Sequence, residues 1–180
     1  MILTESVKGL DGTGAPDFSL PGCDGQTYSL ASFAEAKVLV VMFICNHCPY
    51  VLAVKDRLNA LAEEFQDRGV QLVGVNSNDS DGYPDDAFDK MPELGLTFPY
   101  LHDADQLTAT RYHAVCTPDI FVYDSERKLA YHGRLDDNWQ ESEQVMQREL
   151  AAALEKILNG EKIPREEQKP SMGCSIKWKK

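Results

Sequence analysis

The sequence predicts an α/β fold, with a central mixed β-sheet flanked by helices and a β-hairpin added at the N-terminal side. Three observations carry this expectation. Apolar, β-branched runs at residues 38–44, 70–76 and 120–123 read as buried strands. Apolar residues at helical spacing follow or separate them, and a compact turn, Pro21-Gly22-Cys23-Asp24-Gly25, joins two short segments near the start.

Taken in order, residues 15–20 and 26–30 form the hairpin around that turn, and residues 32–36 a short helical turn. Residues 38–44 are a strand buried on both faces. Val51, Val54, Leu58, Leu61 and Phe65 then mark a helix that stops at Gly69. Pro49 falls in or just after its first turn, where a missing N–H costs at most one bond. Residues 70–76 are the next strand. Pro84 opens an expected helix towards Gly95, broken late by Pro92. A short strand at 98–102 and a short helix at 105–113 follow. Strands at 120–123 and 129–132 are joined by the turn at 124–127. Met146, Leu150, Ala153, Leu154 and Ile157 mark a last helix, closed by Asn159-Gly160. The order βα, βα, ββα gives a mixed sheet with helices on both faces. The expected organisation is an N-terminal extension at 1–14, one domain at 15–160 and a basic tail at 161–180 that packs on it.

At 180 residues, 43% of them hydrophobic, one domain can bury a core without disulfide staples. A net charge of -11 argues against nucleic acid or an anionic membrane as the main partner, and the acidic stretches read as solvated surface. The start lacks a basic segment followed by an apolar one, and no apolar run reaches the ~20 residues a span requires. A cytoplasmic location is the expectation. In a reducing compartment the five cysteines are then catalytic, metal-binding or inert, and not structural bridges.

Cys45 and Cys48 stand where the strand at 38–44 meets the following helix, in Cys45-Asn46-His47-Cys48-Pro49. Two thiols at that spacing and place can form a small disulfide, and a helix start favours a thiolate. Cys116 directly precedes Thr117-Pro118. Cys23 lies in the hairpin turn and reads as an exposed bystander, and His102 and His132 as surface or strand residues.

A strand into C-x-x-C, a β-α unit, then Thr117-Pro118 ahead of a β-hairpin and a last helix resembles the thioredoxin superfamily. Ala15-Pro16-Asp17-Phe18 with its hairpin, and Thr117-Pro118-Asp119 with residues 120–124, resemble its redoxin branch of peroxiredoxins and thiol-disulfide oxidoreductases. The motifs Cys45-Asn46-His47-Cys48-Pro49-Tyr50-Val51, Cys116-Thr117-Pro118-Asp119 and Gly173-Cys174-Ser175-Ile176-Lys177-Trp178-Lys179 resemble a group of bacterial thioredoxin-like proteins. The resemblance implies a thioredoxin-like fold and an exposed nucleophile at Cys45. It implies a buried resolving thiol at Cys48 and a cis-proline at Pro118, with Thr117 beside it. It also implies that an imidazolium at His47 stabilises the thiolate, with a solvated helix residue as the alternative reading of His47. The implied partners are a protein or low-molecular-weight disulfide and a cellular thiol reductant, without a cofactor.

Some family features are missing. Ile44 stands in place of a Trp before the first cysteine, residues 38–44 hold no carboxylate to assist Cys48, and the peroxidatic pattern P-x-x-x-[TS]-x-x-C is absent. Cys116 is open to three readings: a third redox thiol, a ligand completing a copper or zinc site with Cys45, Cys48 and a histidine (His47 or His113), or a small buried residue beside a prolyl turn. Cys174 is an additional candidate thiol, with structural packing of Ile176 and Trp178 as the alternative role for the tail. A peroxiredoxin-like thiol peroxidase stands as a further alternative.

Overall fold

The computed structural model describes residues 3–180, so the first two residues of the expected 1–14 extension lie outside the described residues. The chain forms β1 (Leu3–Glu5), β2 (Ser19–Pro21), β3 (Thr27–Ser29), β4 (Val38–Phe43), α1 (Pro49–Phe65), β5 (Val70–Asn76) and β6 (Tyr100–His102). It continues through α2 (Leu107–Tyr112), β7 (Cys116–Thr117), β8 (Asp119–Tyr123), β9 (Leu129–His132), α3 (Glu149–Leu158) and β10 (Met172–Ser175).

All six residues of β4 are buried because it is the middle strand of a five-stranded sheet, ordered β6-β5-β4-β8-β9. Its pairing is parallel with β5 and antiparallel with β8, which makes the sheet mixed as expected. Side chains alternate across such a strand. Val40 and Met42 therefore face a core shared with α1 and α3, while Leu39, Val41 and Phe43 face one shared with Tyr112, Phe121 and the hairpin. Truncating a residue such as Leu58, buried in the first core, would cost about 2–5 kcal/mol. The apolar stripe of α1 is the expected one, from Val51 to Phe65. Pro49 occupies its first helical position, where its missing N–H has no intrahelical acceptor to lose. A short 3-10 turn, Gln66–Arg68, and Gly69 in the left-handed region end it.

Three expectations are corrected. The helix from Pro84 is replaced by two 3-10 turns, Pro84–Asp86 and Met91–Leu94. Pro92 cannot supply a helical N–H, and the Asp86 carboxylate turns inward to accept the N–H groups of Asn46 and His47. The last helix begins at Glu149 and not near Met146, which is 86% exposed. Asp137 instead accepts the N–H groups of Met146 and Gln147 and holds them out of a helix. Cys23 is half-buried, with its N–H bonded to the Tyr100 carbonyl, so the hairpin turn is tied to β6.

The form in which the tail meets the domain matters most for the site: β10 lies between β1 and β7 in a three-stranded sheet, with Cys174 opposite both Leu3 and Thr117. A Cβ on Gly173 would lie 1.9 Å from the Thr117 carbonyl oxygen, so only glycine permits this approach. Ile176 is buried as expected, whereas Trp178 is 43% exposed and packs only in part. A four-residue strand that sends a single side chain, Cys174, into a core offers too short a pattern to be read from sequence.

Candidate active site

Cys45 and Cys48 bracket the turn from β4 into α1, with Cys48 as the N-cap residue. The run that ends β4 carries the chain directly into this turn, so both sulfurs sit where the strand delivers them to the amide end of the helix. Opposite them, the Thr117-Pro118 peptide is cis, as the resemblance implies. Thr117 contacts both thiols: its hydroxyl lies 3.5 Å from the Cys45 Sγ, and its carbonyl accepts from the Cys48 Sγ at 3.1 Å.

The expectation of an exposed nucleophile is corrected: Cys45 is 1% exposed and Cys48 fully buried. The two thiols act on each other: the neighbouring Cys48 thiol, followed by burial and the nearby Asp86 charge, pushes Cys45 above the ordinary thiol range. The Cys45 thiol in turn pulls Cys48 below it, against burial. The two thiols therefore titrate as a pair, and the Cys48 Sγ is placed to donate to the Thr117 carbonyl.

His47 does not act on the thiols alone. Its Nδ1 lies 2.5 Å from Asp86, whose side chain is fully buried, and its ring stacks on Tyr83. The hydrogen bond to Asp86 raises the His47 pKa, with burial opposing. Burial pushes Asp86 up, but the bonds from His47, Asn78 and the Asn46 N–H outweigh it, and the carboxyl ends below its usual range. A protonated His47 beside an ionised Asp86 is a neutral pair, so Asp86 offsets most of the stabilisation that the imidazolium was expected to give the thiolate.

Sequence reading missed Asp86. It sits 38 residues beyond Cys48 in an acidic stretch, and no local pattern separates it from its exposed neighbour Asp85. Asn78 was missed as well; it bonds Asp86 through its amide at 2.8 Å and the Lys177 N–H through its oxygen at 2.9 Å. Lys177 also accepts at its carbonyl from Asp79 and Gln106, and its ammonium lies 5.7 Å over the Tyr83 ring. The tail is therefore fastened across the loop that carries Asp86.

Cys116 is buried, and its Sγ lies 3.6 Å from the Pro118 carbonyl oxygen. Burial, with the Asp119 charge beside it, pushes this thiol up, as suits an inert packing residue. Asp119 is fully buried against His132 at 2.7 Å, which makes His132 an interior strand residue. Cys174 is brought to the site: it stands opposite Thr117, whose carbonyl accepts from Cys48, and burial followed by the neighbouring Cys48 thiol pushes it up to about 12. Among the described residues, the one set able to hold a metal ion is Cys45, His47 and Asp86, whose ligand atoms lie within 4.8 Å of one another. The expected set with Cys48 and Cys116 does not form. The His47–Asp86 bond and the three further donors to Asp86 already satisfy these groups without an ion.

A small cavity of about 60 Å³, lined by Tyr50, Pro118, Leu135, Trp139 and Met172, adjoins the cis-proline. A larger hollow of about 980 Å³ opens at the far end of the sheet, beside Val38 and Asp124, away from every thiol named above. Among the described residues no helix is long and apolar enough to cross a membrane.

The chain is similar over nearly its whole length to known structures. An uncharacterized conserved protein from Geobacillus kaustophilus is 41% identical, with a TM-score of 0.92 covering 99% of this chain and 97% of that one. A thiol:disulfide interchange protein DsbE, so named provisionally, from Chlorobium tepidum shares the fold at 22% identity. Its TM-score is 0.63, over 83% of this chain and 96% of that one. A Mycobacterium tuberculosis protein provisionally named a peroxiredoxin is 27% identical over 112 residues, 62% of this chain and 69% of its own. These neighbours carry the thioredoxin fold and the redoxin branch that the motifs resemble. Residues 12–132 match the AhpC/TSA family, two thirds of the chain and both the dithiol and the cis-proline, and the chain belongs to that family.

Proposed function

We propose that the protein is a thiol-disulfide oxidoreductase that cycles Cys45 and Cys48 between dithiol and disulfide. The observation that carries this reading is the placement of both thiols at the start of α1 against one residue, Thr117, whose hydroxyl meets Cys45 and whose carbonyl meets Cys48. The family resemblance, in which the first cysteine of the pair attacks, makes Cys45 the sulfur that meets a partner, once the turn over the two buried thiols opens. Cys45 gives up its proton. The Cys45 thiolate then attacks a disulfide, one partner thiolate leaves, and a mixed disulfide forms. Cys48 attacks Cys45 in turn, releasing the second partner thiol and closing the Cys45–Cys48 bond. A cellular thiol reductant restores the dithiol. The substrate class is a protein or low-molecular-weight disulfide, in a reducing, cytoplasmic setting.

A disulfide-reduction assay tests the reading. Cys45→Ser is expected to be inactive, and Cys48→Ser to accumulate mixed disulfides through Cys45. Full activity in Cys45→Ser overturns it.

A second reading, a thiol peroxidase, is favoured by the family match and by the relative provisionally named a peroxiredoxin. The absent peroxidatic pattern weighs against it. Consumption of hydrogen peroxide with a thiol donor, lost in Cys45→Ser, would support it over disulfide exchange.

A further inference from the structure

We infer that Cys48 is shared between two disulfides, one with Cys45 and one with Cys174 on the C-terminal strand. The inference rests on the thiol-disulfide reading above and adds a second covalent site to it. Cys48 lies between the two candidate partners. On one side is Cys45, whose Sγ meets the hydroxyl of the same Thr117 whose carbonyl meets Cys48; on the other is Cys174, the residue paired with Thr117 across the sheet. The backbone fixes this placement. Cys174 stands opposite Thr117 in the β10–β7 pairing, and the Thr117 carbonyl is the group that Cys48 reaches at 3.1 Å. The close approach at Gly173 holds β10 in that register, and the Lys177 contacts fasten the residues that follow.

Cys116 is the natural competitor, one residue from Thr117. It stands opposite Ser175 in the pairing, and its Sγ is directed to the Pro118 carbonyl oxygen. Both Cys116 and Cys174 are buried, so geometry and not solvent access selects between them.

The step needs no further oxidant. Once substrate has been reduced and the Cys45–Cys48 disulfide has formed, the Cys174 thiolate attacks the Cys48 sulfur. The Cys48–Cys174 bond forms, the Cys45–Cys48 bond breaks, and the electron pair leaves on Cys45, which takes up the proton that Cys174 gave. The protein stays oxidised by two electrons throughout. In the new form Cys45 is a thiol again, and a disulfide joins the start of α1 to β10.

Oxidation with diamide, acid trapping, alkylation and peptide mapping test this. Wild-type protein is expected to yield both the Cys45–Cys48 and the Cys48–Cys174 linkages. In Cys45→Ser, free thiols should fall from four to two, with Cys48 linked to Cys174. Adding Cys174→Ser should abolish that loss, and Cys116→Ser should leave the wild-type pattern unchanged. The inference is overturned if wild type forms Cys45–Cys48 alone and Cys45→Ser keeps its thiols, or if Cys48 pairs with Cys116. Absence of any Cys45–Cys48 linkage in wild type overturns the dithiol reading instead, and the Cys45→Ser map still reports on Cys174 by itself.

Discussion

His47 Nδ1 and an oxygen of Asp86 stand 2.5 Å apart, with the carboxylate out of contact with solvent. Asp86 also receives the N–H groups of Asn46 and His47 at 2.7 and 3.2 Å, so one side chain holds both the turn between the cysteines and the ring of its histidine. Asp86→Asn leaves His47 without its anionic partner. Removing one member of a buried pair costs about 3 kcal/mol, roughly 6–12 °C in Tm for a chain of this size. The same change removes a negative charge beside Cys45. Calorimetry should show the lower Tm, and the pH dependence of iodoacetamide alkylation should show Cys45 titrating at lower pH than in wild type.

The pair also gives stability a pH dependence of definite sign. The His47 pKa is raised in the folded state, so its contribution is full below the ordinary histidine value of 6.5 and is lost as pH rises through the raised value. The Asp86 pKa is lowered, so its contribution is present above the ordinary value of 3.8 and is lost as pH falls through the lowered value. Urea unfolding midpoints should therefore decline as pH rises above 6.5. In His47→Gln that decline should be flatter; an equal decline in both proteins would assign it elsewhere.

Gly173→Ala tests the seating of the terminal strand. The new Cβ would meet backbone atoms of Thr117 at 1.9 and 2.7 Å, which no side-chain rotation relieves. Displacement of β10 is expected, with a loss of about 3 kcal/mol and at least tenfold faster alkylation of Cys48 and Cys174 under native conditions. Gly14→Ala is the matched control, with nothing within 4 Å of its Cβ and an expected change within about 0.5 kcal/mol.

Arg57 anchors the loop that lies over Tyr50. Its guanidinium bonds the Asp136 carboxylate and the carbonyls of Asn138 and Trp139, which sets the Trp139 ring 4.1 Å from that of Tyr50. Arg57→Met keeps the aliphatic stem and removes these bonds, at a cost of about 2–4 kcal/mol. Release of Trp139 should shift tryptophan emission to the red, while Trp139→Phe should remove the shift. Unchanged emission in Arg57→Met would show that the loop is held by packing alone.

Much of this was legible in the sequence, because strong periodic signals coincided with deep burial. The run from Val38 to Phe43 is apolar at every position because both sheet faces are covered, and the stripe from Val51 to Phe65 faces one core throughout. The two cysteines and Pro118 were legible through their motifs. What stayed hidden depends on contacts distant in sequence. Asp86 looks like its solvated neighbours until Pro84 and Tyr83 turn it inward. The strand around Cys174 owes its existence to Thr117 and Leu3, and a Met-Gly-Cys-Ser segment has little strand character of its own. Met146 misled in the opposite way, since an apolar residue at helical spacing is only a helix signal if a face receives it.

The sheet of β1, β10 and β7 closes the site with the strand that is made last among those described. At a ribosomal pace of 5–20 residues per second, β10 follows the paired cysteines by something on the order of ten seconds. Pairing β1 with β10 must also close a loop almost as long as the chain, a step that comes late in folding. A newborn chain therefore passes through an interval in which Cys45 and Cys48 lack the cover that β10 later provides. Sealing of this site is a matter of timing in biosynthesis as much as of geometry in the finished protein.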